Sequence, residues 1–227
     1  VAPIAVAQNL TVYLDSNGFA QINSDSVNNG STSNCNLVSL SLNDSVFDCS
    51  DAGSSVMIVL TVVDQSGNSD TAQAFISVLD TIAPAMYLNA NVDVYLDASG
   101  SATINTSLID SASFDACGID TMWLDIYNFG CAEAGLNTVT LSAQDSNGNI
   151  WSDSTQINII DTIAPDVQVV SLLTVALDSF GAVSITPTMI DSATSDACGV
   201  ANLSLDTFNF SCASAGDTIP VTLTAID

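Results

Sequence analysis

The sequence has 227 residues and 25 acidic side chains but no lysine, arginine or histidine, so its formal net charge is -25. Phosphate-bearing partners are bound through basic side chains, so this composition excludes nucleic acid and anionic membrane surfaces as direct partners. Disordered acidic chains are poor in apolar residues, whereas 48% of these residues are hydrophobic. A folded core is therefore expected.

A pattern of about 81 residues recurs along the chain, as in tandem-repeat proteins. Each copy opens at a proline, Pro3, Pro84 or Pro165. The pattern predicts repeats at residues 1–80, 81–161 and 162–227. It stops before completing the third copy, and no basic-then-apolar export signal stands at Val1, so we expect a longer parent protein that carries such a signal elsewhere. No apolar run reaches the length of a bilayer span, so no direct membrane insertion of this segment is expected.

Taken in chain order, each repeat reads as a series of short strands. Residues 10–14, 139–143 and 221–225 alternate with period two and are rich in β-branched side chains. Gly, Asn, Asp and Ser clusters punctuate them, and no stretch has a convincing helical period. Roughly seven short strands per repeat predict an all-β fold of tandem immunoglobulin-like (fibronectin-III-like) β-sandwiches, stacked end to end.

Aspartates mark two recurrent turns and the joints between repeats. A Leu-Asp-x-x-Gly turn begins at Asp15, Asp97 and Asp178, and an Asp-x-x-Gly-Asn turn begins at Asp64 and Asp145. The immunoglobulin topology predicts that carboxylates from successive repeats meet at each joint. Calcium accepts six to eight such oxygen ligands. The predicted calcium ligands are Asp15, Asp64, Asp80, Asp97, Asp115, Asp145, Asp161, Asp196 and Asp227.

The alternative is that each aspartate hydrogen-bonds the backbone of its own turn, as Asp before x-x-Gly commonly does. For the Leu-Asp-x-x-Gly aspartates this structural interpretation is favoured. For the joint aspartates, Asp80, Asp115 and Asp145 with Asp15 nearby, the calcium interpretation is favoured. The calcium interpretation is likewise favoured one repeat later, for Asp161, Asp196 and Asp227 with Asp97 nearby.

Six cysteines fall in three pairs, and the members of each pair are 14 residues apart. They are Cys35 and Cys49, Cys117 and Cys131, and Cys198 and Cys212. With no histidine and no C-x-x-C motif, a zinc site is not favoured, and the spacing predicts one disulfide within each repeat. Each would close a loop of about 14 residues and contribute about 3 kcal/mol in the chain-entropy model. Disulfides also place the chain outside the cytoplasm.

The combined motifs resemble the hyalin-repeat-like (HYR-like) modules of giant cell-surface proteins of Bacteroidetes, including gliding-motility adhesins. The resemblance rests on Asp-Thr-Ile-Ala-Pro at 80–84 and 161–165, Asp-Ala-Cys-Gly at 115–118 and 196–199, and Phe-x-Cys-x-x-x-Gly in every repeat. It implies an immunoglobulin-like fold, type IX secretion, and a role as a surface adhesin or filament. The first repeat has Ser33-Asn-Cys35-Asn instead of Asp-Ala-Cys-Gly, which puts a cation site there in doubt.

The resemblance also implies O-glycosylation at Asp-Ser or Asp-Thr followed by a small or aliphatic residue. The candidate sites are Ser26, Ser45, Thr71, Thr81, Ser111, Thr121, Ser154, Thr162, Ser192 and Thr218.

The predicted function is a structural segment, a stalk or filament, of a large secreted adhesin or extracellular fibre. Its expected partners are other copies of itself or the surface of another cell. The alternative is a glycan- or cell-surface-binding module, and Trp123 and Tyr127 are its only indication. That indication is weak, because Trp123 and Trp151 are predicted to be core or joint residues. An enzyme is not expected, because the acidic residues recur with the repeat whereas a single active site would interrupt it.

Overall fold

The computed structural model describes residues 1–227 and is built almost entirely from strands. In the first repeat these are β1 (Leu10–Tyr13), β2 (Phe19–Gln21), the one-turn helix α1 (Ser24–Val27), β3 (Leu37–Leu42), β4 (Val46–Asp48), β5 (Ser55–Asp64) and β6 (Ser69–Leu79). The second has β7 (Val92–Tyr95), β8 (Ser101–Thr103), α2 (Thr106–Ile109), β9 (Ile119–Leu124), β10 (Asn128–Gly130), β11 (Gly135–Asp145) and β12 (Ile150–Ile160). The third has β13 (Ala182–Ser184), α3 (Pro187–Ile190), β14 (Asn202–Leu205), β15 (Asn209–Ser211) and β16 (Leu223–Ile226). Short 3-10 turns cover Cys131–Glu133 and Cys212–Ser214.

The strand order matches the predicted sandwich class. In the first repeat β1-β6-β5-β3 form one sheet and β2 pairs with β4 separately. β1 runs parallel to β6, whereas the other pairs are antiparallel. The second repeat has the order β7-β12-β11-β9 with β8 paired to β10. The all-β immunoglobulin-like fold is therefore confirmed, with six strands per complete repeat instead of about seven.

The chain divides into two compact units, and each is described by itself. Unit 1 is Val1–Asn89, Thr106–Asp125 and Thr140–Thr155, and unit 2 is Ala90–Asn105, Ile126–Val139 and Gln156–Asp227. β11 and β12 run through both units. The predicted repeat limits remain a description of the sequence pattern, since these units do not follow them.

Unit 1 contains a continuous hydrophobic core. Along β5 the inward side chains Ile58, Leu60 and Val62 are fully buried, and Phe47 of β4 packs against them from the second sheet. The alternation with exposed neighbours is the period-two pattern that the sequence shows. In all, ten buried side chains form this cluster: Leu14, Ile22, Val27, Phe47, Ile58, Leu60, Val62, Ala74, Ile76 and Val78.

In unit 2 the third repeat forms a much smaller core. Its buried cluster consists of Ile185, Ile190 and Leu223. Among residues 162–227 its larger sheet consists of the pair β14–β16. Residues 173–176, which correspond to β1 and β7, do not form a strand.

Two features refine the sequence prediction. The Asp-x-x-Gly-Asn segment is the tight turn between β5 and β6, as predicted, and the Gly67 N–H donates to the Asp64 carbonyl at 3.0 Å. The one-turn helices were not predicted, since four residues are too few to show a helical period. The first is capped by the Asn23 side chain, which accepts a hydrogen bond from the Ser26 N–H at 2.8 Å.

None of the helices has the length or apolar character needed to cross a lipid bilayer.

Candidate functional site

The disulfides join successive repeats. Cys49 bonds Cys117 in unit 1, and Cys131 bonds Cys198 in unit 2, with Cα atoms 5.1 Å apart in both cases. The predicted pairing within each repeat is therefore wrong. Each bond closes 68 or 67 residues of chain, and the chain-entropy model assigns such a loop about 4 kcal/mol, more than the 14-residue loops would contribute.

The direction of the third strand explains the pairing. β3 begins two residues after Cys35, and its six residues carry the chain about 20 Å away. β4, which ends beside Cys49, pairs with β2 and does not return along β3. A disulfide needs Cα atoms roughly 4.4 to 6.8 Å apart, so Cys35 and Cys49 cannot reach each other.

Cys35 and Cys212 are therefore free thiols, half-buried and exposed respectively, although both were predicted to be in disulfides.

A turn glycine contacts each inter-repeat disulfide, and sequence reasoning missed this role. Gly18 has φ +80°, and a Cβ there would lie 2.6 Å from Cys49 Sγ and 3.3 Å from the Ala116 Cβ. Gly100 has φ +72°, and its Cβ would lie 2.6 Å from the Cys131 Sγ. Real Cβ atoms do not approach so closely, so these turns require glycine for space as well as for φ. The recurrent Gly of the Leu-Asp-x-x-Gly turn was the available signal.

Carboxylates gather beside the disulfide of unit 1. One oxygen each of Asp80 and Asp115 and the Cys117 Sγ lie within 4.8 Å of one another. Asp80 Oδ1 accepts a hydrogen bond from the Ile82 N–H at 3.0 Å, while its Oδ2 is buried without any hydrogen-bond partner. Only 9% of Asp80 is exposed. A buried carboxylate oxygen with no donor is costly, and a cation at this point would supply the missing contact.

Two further aspartates border this cluster. Asp15 lines a cavity of about 80 Å³ together with Asp80 and Asp115. Partial burial, followed by the charges of Asp80 and Asp145, raises the pKa of Asp115 above its ordinary value of 3.8. Asp80 and Asp115 thus lie close together, as predicted, and Asp15 borders the same cavity. Calcium binding by them stays a prediction.

Unit 2 repeats the arrangement in a more open setting. Asp161, Asp196 and the Cys198 Sγ also have ligand atoms within 4.8 Å of one another. Asp227 and Asp161 line a cavity of about 720 Å³ that also borders Cys198. The sulfurs are in disulfides, so at both sites only the oxygens are available as hard ligands.

The remaining candidate ligands mainly hold their own turns. Asp15 Oδ1 accepts from the Asn17 and Phe19 N–H groups at 2.8 and 3.1 Å, and Asp97 Oδ1 accepts from Ser99 and Ser101 at 2.8 and 3.2 Å. The structural interpretation favoured for these turns is thus confirmed.

Asp64 and Asp145 are each 1% exposed, and both carboxylate oxygens of each accept hydrogen bonds within the turn. The Asn149 side chain, which bonds Asp145, also donates to the Asp80 carbonyl at 3.2 Å. The buried turn therefore positions the cluster.

The proposed glycosylation sites are accessible for the most part. Ser26 and Ser45 are half-buried, and the other eight are exposed: Thr71, Thr81, Ser111, Thr121, Ser154, Thr162, Ser192 and Thr218. The two tryptophans were predicted to be core or joint residues, and a core position is wrong for both, since Trp123 is 37% and Trp151 is 58% exposed. Trp123 projects from an edge strand and Trp151 lies at the start of β12, beyond its buried part.

No protein-family model and no curated protein matches the chain. Among solved structures it is similar to protocadherin gamma B7 extracellular cadherin domains 1–4 (14% identity, TM-score 0.35), and the match covers 90% of this chain and 63% of that one. It is also similar to sidekick-1 immunoglobulin domains 1–4 (12%, 0.38, 70% and 49%) and to human protocadherin-24 EC1–2 (12%, 0.38, 72% and 100%). Likenesses this weak carry no conclusion about what the chain binds.

Proposed function

We propose that this chain is a stalk or filament segment of a large secreted surface adhesin or extracellular fibre. The observation that carries the proposal is that a disulfide joins each repeat to the next. A protein that only had to stabilise its repeats would gain from bonds within them. Bonds between repeats restrict the joints instead, which suits a segment that holds or transmits position.

The composition supports the same role. With no lysine or arginine, the chain offers no cleavage site to trypsin-like proteases. Export by the type IX route and O-glycosylation belong to this proposal through the resemblance to HYR-like modules, and eight exposed Asp-Ser or Asp-Thr sites are compatible with glycosylation. Intact-mass measurement on native material tests it, because a mass equal to that of the unmodified polypeptide would rule glycosylation out.

We further propose that calcium stiffens the joints by binding Asp80 and Asp115, and again Asp161 and Asp196. The orphaned Asp80 Oδ2 supports this, since it is buried beside a second carboxylate in a chain without any basic side chain. Calcium at a hundred times its Kd would raise the free energy of unfolding by about 2.7 kcal/mol.

The test compares chemical denaturation and sedimentation velocity with calcium and with chelator. Asp80→Asn should abolish the calcium-dependent gain at its joint. Asp93→Asn is the matched control, because Asp93 is an exposed strand aspartate outside both clusters. Identical unfolding curves and sedimentation coefficients with calcium and with chelator would contradict the calcium proposal.

The stalk itself is tested by stretching single molecules. The oxidised chain should resist extension, whereas the Cys49→Ser/Cys117→Ser variant should release the 68-residue loop that its disulfide closes. Cys35→Ser/Cys212→Ser is the control, since it removes neither bond. Equal extension of all three chains would contradict the stalk.

A second candidate function is binding to a glycan or cell surface. The exposed Trp123 and Trp151 favour it, because both tryptophans belong to the second repeat alone and have no counterpart in the others. Exposed aromatic rings commonly mark binding surfaces. Trp123→Ala/Trp151→Ala should then abolish binding to cells or glycan arrays, and unchanged binding would leave the tryptophans without this role.

A further inference from the structure

One side of the larger sheet in the first repeat carries exposed apolar side chains. Phe75 of β6 and Met57 of β5 are register partners and are 47% and 49% exposed. Tyr13 of β1 and Leu79 of β6 are also partners, and they are 60% and 36% exposed. Because successive side chains of a strand alternate between faces, all four lie on the side of the β1-β6-β5-β3 sheet that faces away from the core. We call this side the outer face.

The second repeat lacks this apolar character. When the two repeats are aligned on their hairpin turns, Gln156 and Thr138 stand at the positions of Phe75 and Met57. Both are exposed, although the second repeat has a repeat before it and a repeat after it in the chain. Adjacent repeats therefore leave this side of a sheet open. The apolar outer face is a property of the first repeat alone, and a set of apolar side chains that share one face indicates a contact surface.

The outer face carries no carboxylate, although residues 1–80 contain eight aspartates. Two of these aspartates belong to the strands of the sheet. Asp64 is 1% exposed on the core side, and Asp70 accepts a hydrogen bond from the Ala5 N–H at 2.9 Å. In the second repeat, by contrast, the exposed Asp93 of β7 stands where β1 has Thr11. The first repeat thus lacks charge on the face where it presents apolar side chains.

One side chain at the margin of the outer face has lost its charge but kept its hydrogen bond. Asn43, directly after β3, accepts a hydrogen bond from the Val59 N–H at 2.6 Å. Directly after β9, Asp125 accepts the equivalent bond from the Thr140 N–H at 2.9 Å. Val59 lies on the outer face, two residues along β5 from Met57. The amide therefore does the structural work of the carboxylate without placing a negative charge beside the apolar side chains.

The missing charge identifies the kind of partner. Asp44, next to Asn43, accepts a hydrogen bond from the Val46 N–H at 3.3 Å, which directs it towards the opposite sheet. A basic partner would be attracted by carboxylates, whereas an acidic partner is repelled by them. A second copy of this chain, with a net charge of -25, is such an acidic partner. We propose that two copies associate through their outer faces, so that uncharged surfaces meet and the carboxylates stay at the margins.

The dimensions of the outer face suit a weak, reversible contact. Its strands β1, β6, β5 and β3 have 4, 11, 10 and 6 residues. At about 3.3 Å per residue and about 4.8 Å between strands, the face measures about 500 Å². Two copies would then bury about 1,000 Å² in total, which is the lower limit for a specific interface. Association should therefore depend on protein concentration.

This inference rests on the proposed filament, for which it supplies a sideways contact between copies. The experiment is sedimentation equilibrium of the full chain from micromolar to millimolar concentration, at low and high salt and with chelator present. The free thiols of Cys35 and Cys212 are alkylated first, so that no disulfide between copies contributes. The chain is used without glycans, because Thr71 lies on the outer face and a glycan there would obstruct the contact.

We expect a monomer–dimer equilibrium that high salt strengthens, because salt screens the repulsion between the acidic copies. Met57→Thr/Phe75→Gln should weaken the dimer at least roughly tenfold by removing apolar area. The second repeat has these same residues at the same positions, so the fold should be kept.

Restoring the marginal charge tests the partner's acidity separately. Asn43→Asp should weaken the dimer roughly tenfold at low salt and much less at high salt. The matched control is Phe19→Ser/Val46→Asn, which removes two exposed apolar side chains from the opposite sheet and also introduces residues of the second repeat. This control should leave the dimer unchanged.

Hydroxyl-radical labelling locates the contact without any substitution. Labelling of Met57 and Phe75 should fall as the concentration rises, whereas labelling of Phe19 should stay constant. Three results would overturn the inference: a monomer at every concentration and salt, a dimer weakened equally by the control variant, and a monomer that instead binds phosphatidylcholine vesicles through Phe75. None of them concerns the disulfides between repeats, so the stalk would survive each result. Failure of the stretching test, conversely, would leave dimer formation intact.

Discussion

The first and third repeats carry the same motifs but form different amounts of structure. The first has a four-stranded sheet, with ten buried side chains in the cluster behind it, whereas the third has the pair β14–β16 and three buried side chains. Leu10–Tyr13 is a strand because β6 lies beside it in parallel, whereas residues 162–227 stop before the segment that is equivalent to β6. A short apolar segment therefore becomes a strand only where a partner supplies its hydrogen bonds.

The acidic clusters differ in the same direction. Around Asp80 and Asp115 the cavity is about 80 Å³, and one carboxylate oxygen is buried without a donor. Around Asp161 the cavity is about 720 Å³, with Asp227 at its border. Burial makes an unpaired charge costly, so we expect the cluster around Asp80 and Asp115 to depend on a cation.

The test with the largest expected effect on stability removes the disulfide of each unit in turn. Cys49→Ser/Cys117→Ser should lower the free energy of unfolding by about 4 kcal/mol, the loop-closure value for 68 residues. Cys131→Ser/Cys198→Ser should have the same entropic cost, but with only three buried side chains the third repeat should then unfold altogether. Urea denaturation followed by hydrogen exchange measures both effects, with Cys35→Ser/Cys212→Ser as control. A third repeat that stays protected after the second pair of substitutions would contradict the comparison.

Truncating one aromatic side chain in the first repeat and one in the third sharpens the comparison of their cores. Phe47 and Phe210 hold equivalent positions, but Phe47 is 1% exposed and Phe210 is only half-buried. Phe47→Ala should cost about 3 kcal/mol, because it opens a cavity in a packed core. Phe210→Ala should cost less than half as much. Thermal and urea unfolding of the two variants decide the question, and equal losses would mean that the third core is as well packed as the first.

Replacing the turn glycines by alanine should lower the free energy of unfolding by a smaller amount. Gly18→Ala places a Cβ against a disulfide, whereas Gly181→Ala places one against the free Cys212 side chain, which can rotate away. We expect a loss of about 2 kcal/mol at Gly18 and about 1 kcal/mol at Gly181, the latter mainly from positive φ. Gly67→Ala is the control for φ alone, since no atom lies within 4 Å of its Cβ. If Gly18→Ala costs no more than Gly67→Ala, the disulfide contact has no energetic consequence.

The smallest effect is a pH dependence in calcium-free buffer. The raised pKa of Asp115 means that the folded chain holds this proton more tightly than the unfolded chain does, so the stability from this group is lost as pH rises through the folded pKa. Stability should therefore increase as pH falls from neutrality towards 3.8. Below 3.8 the trend should reverse, because hydrogen bonds lower the pKa of Asp15, Asp64 and Asp97.

Asp115→Asn should stabilise the calcium-free chain near neutral pH and flatten the rise on acidification. Urea denaturation of Asp115→Asn and of the unmodified chain at several pH values measures the difference, and a rise that persists in Asp115→Asn would have to come from another group.

The sequence allowed the strands, the turn anchors and the meeting of Asp80 with Asp115 to be predicted, because these follow from local patterns placed on a familiar topology. Asp64 before x-x-Gly-Asn, for example, determines its own turn by bonding the Ser66 and Asn68 N–H groups. The exposure of Trp123 and Trp151 was not predictable in this way, since an aromatic residue within a strand fits either face until the register is known.

The disulfide pairing failed for a similar reason. Cysteines 14 residues apart within a repeat recur at equally regular distances between repeats, so spacing alone does not choose between partners. The choice depends on β3 leading away from Cys35 and on β4 joining a different sheet. The turn glycine beside Cys49 and again beside Cys131 was the one sequence feature connected to the answer.

Pairing between repeats also changes the route that mechanical tension takes along the molecule. From Cys49 the shortest covalent path crosses to Cys117, follows the backbone to Cys131, and crosses again to Cys198. The second repeat thus contributes a 14-residue stretch to the loaded path, which extends to about 50 Å when fully straightened. Its two longest strands, β11 and β12, lie outside that path. Pulling therefore leaves the hairpin unloaded, and a repeat that yields lengthens only slightly before the next covalent bond takes up the force.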